Sequence, residues 1–243
     1  MTDAKPFTDK LALVTGASRG IGAATAEALA ESGAHVLLVA RGAPALEAVE
    51  QRIHDAGGNA TIAPMDLTDS DAIARLAEAV GERWGALDML VLNAAMLGSL
   101  TPVEHIDSKE YGRILALNLI ANQALIAAFD PLLRRSPGAE IVGITSSVGR
   151  EPRAFWGAYG SSKAAFETLL GAYADETEHN GRIRVHIVDP GATRTRMRAL
   201  AFPGEEPENV KPPEAVAGAI IERLKSDVPS GGNVRVEART APA

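Results

Sequence analysis

The chain has 243 residues, a hydrophobic content of 46% and a formal net charge of −7. This length suits one large α/β domain or two small ones, and the hydrophobic content is ample for a core, which excludes extensive disorder. The negative net charge, without any dense Lys/Arg block, is not typical of a nucleic-acid-binding protein, and we expect no DNA or RNA partner.

The chain contains no cysteine, which excludes disulfides and thiol chemistry and fits a reducing compartment. The five histidines show no metal-ligand spacing, so we predict no metal site and interpret them as structural or surface residues. They are His35, His54, His105, His179 and His186. The N-terminal stretch lacks the apolar core of a signal peptide, and we identify no later apolar run of membrane-spanning length. We therefore expect a cytoplasmic protein without a membrane partner.

Short apolar runs alternate with amphipathic segments along the chain. The apolar runs predict strands at Leu11–Val14, Ala34–Val39, Ala60–Pro64, Leu87–Leu92, Glu140–Thr145, Ile183–Val188 and Val234–Glu237. The amphipathic segments predict helices at Ala23–Ser32, Pro44–Ala56, Asp69–Trp84, Ser108–Leu133, Tyr159–His179 and Pro213–Lys225. Near-continuous apolar strands alternating with helices are typical of a parallel sheet covered on both faces. We predict one doubly wound α/β domain over residues 1–243, with residues 1–9 as an N-terminal tail.

A glycine-rich turn, Thr15–Gly22, connects the first predicted strand to an alanine-rich helix. Glycines allow a tight turn and let the backbone approach a pyrophosphate, whose charge is favoured by the helix N-terminus. The spacing is TGxxxGxG rather than GxGxxG, and a purely structural turn is the alternative. The position directly after the first strand favours a dinucleotide site. Its candidate residues are Gly16, Ser18, Arg19, Gly20, Ile21 and Gly22.

The end of the second predicted strand bears on which dinucleotide is bound. Enzymes that select the unphosphorylated ribose usually carry Asp or Glu about 20 residues beyond the glycines. Here the strand ends in Ala40 and Arg41, so that carboxylate is missing and a cation is present. Arg41 and Arg19 together favour NADP(H). NAD(H) remains the alternative if both arginines are only solvated surface groups.

Polar segments also follow the third and fourth predicted strands: Asp66-Leu67 and Asn93-Ala94-Ala95. Ligands of an open parallel sheet lie beyond the carboxyl ends of its strands, so both segments should face the same crevice as the glycine turn. Asp66 could accept a hydrogen bond from an adenine amino group. It could equally cap the helix that begins near Asp69.

A tyrosine and a lysine four residues apart begin the helix predicted from Tyr159. Residues four apart share one helix face, so Tyr159 and Lys163 can point at one ligand. The ammonium should lower the phenol pKa from about 10, which would let Tyr159 exchange a proton with a carbonyl or alcohol oxygen. Ser146 supplies a hydroxyl that can hold the same oxygen. The pair alone is weak evidence, because a half-buried Tyr beside a solvated Lys has the same spacing.

Together these residues resemble the short-chain dehydrogenase/reductase family, from about Lys10 to the last strand. The resemblance depends on the order of Thr15–Gly22, Asp66, Asn93-Ala94, Asn118, Ser146, Tyr159, Lys163 and Pro190-Gly191. It implies a single Rossmann-type domain with a roughly seven-stranded parallel sheet. It also implies a small-molecule substrate and hydride transfer between a nicotinamide and a carbonyl or alcohol carbon.

The resemblance further implies roles for individual residues. Tyr159 would be the general acid/base, and Lys163 would lower its pKa while binding the nicotinamide ribose. Ser146 would orient the substrate oxygen. Asn118 would hold a water in a proton relay to Lys163.

Farther along, the same resemblance places Pro190, Gly191 and Thr193 at the nicotinamide, with Thr193 near its carboxamide. The sequence departs from the family pattern at Ala95, where glycine is common, and at Asp189, where Asn is common before Pro-Gly. A narrower resemblance is to the bacterial YciK-like oxidoreductases. It rests on SSVGREPRAFWGAYGSSK and PGATRTRMRALAFPGEEPENVKPPE, and it indicates no substrate.

The substrate should be bounded by the irregular segments beside this pocket. Residues 194–213 are Pro-rich and charged, as is typical of a lid. Arg194, Arg196 and Arg198 could bind an anionic substrate or the cofactor phosphates, or they could be solvated or paired with the lid glutamates. Phe155-Trp156 could form an apolar wall or pack beneath the lid.

Two helical segments, Ser108–Leu133 and Tyr159–His179, carry apolar residues on more than one face. These include Leu115, Leu119, Leu125, Phe166, Leu169 and Tyr173. Burial against a second subunit would explain the excess, and in the resembling family these helices form a four-helix dimer interface. We expect a homodimer or homotetramer.

A competing hypothesis is a dinucleotide-binding sensor or assembly protein that keeps the fold without catalysis. The complete set of Asn118, Ser146, Tyr159 and Lys163 argues against it, because a sensor needs no proton relay.

Overall fold

The computed structural model describes residues 5–179 and 181–237. Its centre is a single sheet in which every neighbouring pair of strands is parallel. The strands are β1 (Leu11–Thr15), β2 (His35–Ala40), β3 (Asn59–Pro64), β4 (Met89–Leu92), β5 (Ala139–Ile144), β6 (Ile183–Asp189) and β7 (Asn233–Arg235). Their order is β3-β2-β1-β4-β5-β6-β7, so the direction of winding reverses between β1 and β4. Such a reversal opens a ligand crevice at the carboxyl ends of the strands.

Helices connect the strands. They are α1 (Gly20–Glu31), α2 (Ala43–Asp55), α3 (Ser70–Trp84), α4 (Ser108–Leu115), α5 (Ala121–Leu133), α6 (Gly157–Glu178), α7 (Arg196–Ala201) and α8 (Pro213–Lys225). A π-helical turn, Ala116–Ile120, joins α4 to α5. Short 3₁₀ turns occupy Val103–His105, Ser147–Gly149 and Pro207–Asn209.

The core consists of two apolar clusters, one on each face of the sheet. In β1, Leu11 and Leu13 pack into one cluster with side chains of α3, α5 and α6. Ala12 and Val14 pack into the other with side chains of α1, α2 and α8. All five β1 residues are buried, as expected for a central strand covered on both faces. The predicted doubly wound parallel sheet is confirmed.

The predicted strands all occur, with ends within two residues of the observed ones. Helix α1 begins at Gly20, three residues before the predicted start, because the Ala23 N–H already donates to the Arg19 carbonyl at 3.3 Å. The predicted helix Ser108–Leu133 is one run interrupted by the π turn. Helix α7 was not predicted, since its six residues are too few for a periodic pattern.

Part of the predicted N-terminal tail lies against the domain. Residues 6–9 form a turn, and Phe7 is 9% exposed within the α1–α2–α8 cluster. The Phe7 N–H donates to the Ser32 carbonyl at 2.9 Å. Residues 1–4 of the predicted tail lie outside the described residues.

One helical run, Ser108–Leu133, is long and apolar enough to cross a membrane by length and composition alone, with a mean hydropathy of 1.4. The expectation that no apolar run reaches that length is therefore wrong for this segment. Leu125, Phe129 and Leu133 on its inner face are fully buried in the sheet core. Because core packing accounts for this face, the hydropathy is weak evidence of a membrane span.

Candidate active site

The predicted site residues lie at the carboxyl edge of the sheet, since they follow strands that all run in one direction. Gly16 follows β1, Arg41 follows β2, Asp66 follows β3, Asn93 follows β4, Ser146 follows β5 and Pro190 follows β6. Tyr159 and Lys163 lie in the first turns of α6. The switch point between β1 and β4 brings the glycine turn next to the Asn93 segment.

The glycine turn is fixed by close packing against the end of β4. The Asn93 Nδ2 donates to the Thr15 carbonyl at 2.9 Å, and the Thr15 hydroxyl accepts from the Asn93 and Ala94 N–H groups at 2.9 and 3.1 Å. A Cβ at Gly22 would lie 2.3 Å from the Gly16 carbonyl oxygen, and Gly16 itself has φ +65°. Both positions therefore require glycine. The Asn93 side chain holds the shape of the turn.

The N-terminus of α1 fits a phosphate group. No side chain caps the helix at Arg19, so its first N–H groups lack a side-chain acceptor. Aligned N–H groups and the helix dipole favour a bound anion there. Arg19 and Arg41 are both exposed cations beside this crevice. The turn and its flanking positive charges therefore suit an anionic ligand such as a dinucleotide.

Asp66 does not cap helix α3. Its Oδ1 accepts from the Thr68 N–H at 2.9 Å and the Thr68 hydroxyl at 2.8 Å. Asp69 is the cap, accepting from the first-turn N–H groups of α3 at 3.0 and 3.1 Å. The Thr68 hydrogen bonds, followed by the charge of Arg41, lower the Asp66 pKa, so its exposed carboxylate is available to accept a hydrogen bond. Leu67 is buried in the core, so only its backbone can face a ligand.

Tyr159 and Lys163 share one face of α6, as predicted. The Lys163 Nζ lies 5.8 Å from the centroid of the Tyr159 ring and donates to the Ile144 carbonyl at 2.8 Å. Lys163 is 2% exposed, and burial lowers its pKa to about 8, while the Glu167 carboxylate acts in the opposite direction. The ammonium is therefore held inside the protein at the end of β5.

The pKa expected for Tyr159 requires a correction. Burial raises the Tyr159 pKa above its ordinary value, and the negative charge of Asp189 raises it further. Tyr159 is 7% exposed, and loss of hydration penalises its phenolate form. In this arrangement Tyr159 is a protonated phenol, suited to donate a proton.

Asn118 lies in the π turn and is fully buried. Its Oδ1 accepts from the Met96 N–H at 2.9 Å, and its Nδ2 donates to the Met96 carbonyl and the Ser162 hydroxyl at 2.9 and 3.0 Å. Ser162 in turn donates to the Tyr159 carbonyl at 2.7 Å. Asn118 thus connects the loop after β4 to the first turn of α6. Ser162 was not predicted, although its position within the Tyr-to-Lys turn was a signal.

Ser146 ends the extended backbone of β5, with φ −164°, and is half-buried. Its side chain does not cap the 3₁₀ turn Ser147–Gly149 that follows. Val148, within this 3₁₀ turn, belongs to the same apolar cluster as Tyr159. Ser146 therefore lies two residues before a side chain that packs in the apolar cluster of Tyr159.

The loop after β6 is organised by Asp189, which is 1% exposed. Its Oδ1 accepts from the Gly191 N–H at 2.9 Å, and its Oδ2 accepts from the Arg150 guanidinium at 3.2 Å. Arg150 also lies 3.4 Å from a Glu167 carboxylate oxygen. The Thr193 hydroxyl donates to the Pro190 carbonyl at 2.9 Å. From the sequence, Asp189 was noted only because Asn is common at this position before Pro-Gly. In the structure it is a buried carboxylate paired with Arg150.

Side chains of the segment 194–213, the predicted lid, pack on an apolar cluster around Tyr159, which we call the Tyr159 cluster. Its members are Leu97, Leu100, Val148, Trp156, Tyr159, Met197 and Ala201. The Trp156 ring lies 6.0 Å from that of Tyr159 and 5.8 Å from that of Phe202 in the lid, so Trp156 is a wall of the cluster and also packs beneath the lid. Of these residues, only Tyr159 and Trp156 were singled out from the sequence.

The three lid arginines differ in their surroundings. Arg194 and Arg196 are exposed. Arg198 is paired with Glu205, with 2.6 Å between Nε and Oε2, and its Cζ lies 3.6 Å from the centroid of the Phe202 ring. For Arg198 the pairing alternative is confirmed.

No group of three His, Cys, Asp or Glu side chains among residues 5–179 and 181–237 could hold a metal ion. The candidate site consists of the glycine-rich turn after β1, the Tyr159 phenol near the buried Lys163 ammonium, and the apolar Tyr159 cluster.

A doubly wound sheet with this glycine turn and a Tyr-x-x-x-Lys helix at one edge defines a class of nicotinamide-linked oxidoreductase. The family model for short chain dehydrogenases matches residues 10–206. The chain belongs to the short-chain dehydrogenase/reductase family and is an oxidoreductase.

Individual relatives agree with this assignment and with the narrower resemblance. The uncharacterized oxidoreductase YciK of Escherichia coli (strain K12) is 37% identical over 210 residues, which are 85% of this chain and 82% of the relative. A short chain dehydrogenase from Shigella flexneri 2a, complexed with NADP, superposes with a TM-score of 0.92 at 33% identity, covering 96% of this chain and 99% of that one. One from Escherichia coli CFT073, complexed with NADPH, has a TM-score of 0.92 at 34% identity, covering 97% and 100%.

Proposed function

We propose that the protein is an NADP(H)-dependent oxidoreductase that transfers a hydride between the nicotinamide and a carbonyl or alcohol carbon of a small molecule. The observation that carries this proposal is the Tyr159 phenol, set 5.8 Å from the buried Lys163 ammonium at the edge where the glycine turn lies. A sensor has no use for a buried ammonium held against a phenol.

Binding of NADP(H) is assigned to the residues along the carboxyl edge. The Gly16–Gly22 turn would hold the pyrophosphate, and Arg19 and Arg41 the additional phosphate. Asp66-Leu67 and Asn93-Ala94-Ala95 would line the adenosine half, and Pro190, Gly191 and Thr193 the nicotinamide half. The bound nicotinamide supplies or accepts the hydride. Two related proteins that were crystallised with NADP or NADPH support this choice over NAD(H).

Side chains of the protein would carry out the proton transfer that accompanies hydride transfer. Tyr159 donates it to the substrate oxygen during reduction and accepts it during oxidation, with Ser146 holding that oxygen by its hydroxyl. The Lys163 ammonium stabilises the phenolate that remains, and the Ile144 carbonyl fixes its position. Asn118 and Ser162 fix the backbone of Tyr159. The lid keeps water away from the reacting atoms.

A first experiment measures NADPH oxidation by the purified protein against a panel of ketones, aldehydes, quinones and oxo-acids. We expect Tyr159→Phe to lower kcat by at least about 100-fold, because a positioned acid/base typically contributes 10²–10⁴-fold. NADPH affinity should stay within a few-fold. Tyr111→Phe is the matched control, since it also removes a phenol hydroxyl, one that bonds Ser161 at 2.9 Å.

The outcomes separate the parts of the proposal. Undiminished turnover in Tyr159→Phe would refute the role of the phenol. A higher kcat/KM with NADH than with NADPH would refute the cofactor preference. Tight NADPH binding without turnover of any panel compound would favour the non-catalytic sensor.

A further inference from the structure

The side chains that pack around Tyr159 are apolar. Leu97 and Val148 are buried against the phenol, and Trp156 stands 6.0 Å from it. Met197 and Ala201 close the cluster from the lid. Substituents of a carbonyl carbon placed at Tyr159 would therefore contact hydrocarbon and aromatic surface.

The charges near this cluster do not favour an anionic substrate. Arg198, the lid arginine nearest the aromatic residues, is already paired with Glu205 and stacked on Phe202. The other charges near the phenol already have partners: the Asp189 carboxylate is paired with Arg150, and the Lys163 ammonium donates to the Ile144 carbonyl. A substrate carboxylate placed among these apolar side chains would lose its hydration, which is strongly unfavourable unless a cation pairs with it.

The apolar surface continues to the outside of the lid. The structure describes four exposed large apolar residues, and three lie on segments that border the Tyr159 cluster: Val103 (71% exposed), Phe155 (55%) and Leu200 (67%). A Cβ on Gly157, beside Trp156, would lie 3.1 Å from Val103 Cγ2. The Phe155 carbonyl accepts from the Thr101 N–H at 3.1 Å, which joins the two loops. Leu200 precedes Ala201 in α7. We call Val103, Phe155 and Leu200 the apolar rim.

We propose that the substrate is an uncharged, apolar ketone or aldehyde, or the corresponding alcohol, with one substituent in the Tyr159 cluster and a longer apolar substituent along the apolar rim. This inference rests on the proposed function. It decides between the two alternatives left by the lid arginines, in favour of a neutral substrate. The apolar rim beside the Tyr159 cluster lets a long chain remain in contact with the protein after the carbonyl group has reached Tyr159.

The test uses the NADPH-loaded protein with a series of straight-chain methyl ketones from four to eleven carbons. We expect kcat/KM to rise about two- to fourfold per added methylene until the rim is covered, as burial of a CH₂ group predicts. Replacing the terminal methyl by a carboxylate should lower kcat/KM by at least about 100-fold. Leu200→Ser should flatten the dependence on chain length, and Leu200→Met, which keeps the apolar surface, should retain it.

A second readout is independent of turnover. Isothermal calorimetry with NADP⁺-loaded protein and the matching secondary alcohols should give affinities that rise with chain length, with the same response to Leu200→Ser. Chain-length-dependent binding without any hydride transfer would refute the proposed function and support the apolar site. Equal or faster reduction of the carboxylate-bearing ketones, or no chain-length dependence in either readout, would overturn this inference while the oxidoreductase activity stands.

Discussion

Single residues near the Tyr159 phenol affect its pKa. One of them is Asp189, at a position where the family commonly has Asn. Its carboxylate is 1% exposed and is held between the Gly191 N–H and the Arg150 guanidinium. Its charge adds to the effect of burial in raising the Tyr159 pKa. Asn, the residue common at this position, would keep an oxygen for the Gly191 N–H and remove the charge.

We predict that Asp189→Asn lowers the pKa of Tyr159. The negative charge that disfavours the phenolate disappears, and Arg150 loses the carboxylate that neutralises it; both changes act in the same direction. The acidic limb of the pH profile for alcohol oxidation, which requires the phenolate, should move to lower pH. Steady-state kcat for alcohol oxidation, followed upwards from pH 8 to the alkaline limit at which the protein stays folded, measures this.

Asp227→Asn is the control for this experiment, since it removes a fully exposed carboxylate from the surface. A profile for Asp189→Asn that coincides with that of Asp227→Asn would show that the carboxylate does not act on the phenol. An upward shift would contradict the sign of the argument.

The significance of Asp189 could not be predicted from the sequence. Its partner Arg150 is 39 residues away along the chain, and only folding brings the β5 and β6 ends together. The same holds for the contact of Lys163 with the Ile144 carbonyl, which determines where the ammonium lies. The spacing of Tyr159 and Lys163, in contrast, is local to one helix and was predictable. Their degree of burial was not, and this reversed the expected direction of the Tyr159 pKa.

Among the elements, the π turn between α4 and α5 gives Asn118 its position. One extra residue in a helical turn displaces the backbone, and such turns are frequent at functional sites. Hydrophobic periodicity predicted a continuous helix over Ser108–Leu133, because a single π turn shifts the pattern by too little to see. The glycine turn and the strands were predictable, since their signals are local.

We predict that Asn118→Ala destabilises the fold as well as the active site. The Met96 N–H and carbonyl would each lose a partner, at about 1–3 kcal/mol for a buried group left unpaired. For a chain of this size the melting temperature should fall by about 2–4 °C per kcal/mol. Thermal unfolding followed by circular dichroism measures it. Gln123→Ala, at an exposed position of α5, is the control. Equal melting temperatures would contradict the structural role of the amide.

At the scale of the whole molecule, only some of the apolar residues from which we predicted self-association are available at the surface. Leu125, Phe166 and Tyr173 are buried within the subunit, so they do not require a partner. Leu115, Leu119 and Leu169 are half-buried, and Ile120 in the π turn is 60% exposed. The remaining surface of α4, α5 and α6 is still apolar enough to propose a homodimer or homotetramer through these helices.

We predict that Ile120→Lys weakens this association, because a charge placed in an apolar interface must be desolvated without a partner. Sedimentation velocity at micromolar concentration should show a shift from dimer or tetramer towards monomer. Ala79→Lys, an exposed position of α3, serves as the control. A monomeric wild-type protein at assay concentration would refute the oligomer itself, and an unchanged Ile120→Lys oligomer would exclude this face.

The two ends of the lid are joined to each other. Thr193 and Lys211 form a parallel backbone bridge, and the Arg194 N–H donates to the Lys211 carbonyl at 2.8 Å. The chain thus leaves the sheet and returns at one point, and the entropy of closing such a loop depends only weakly on its length. We therefore expect residues 194–210 to tolerate exchange for a segment of different length and composition, which would alter the substrate pocket while the dinucleotide half of the domain stays the same.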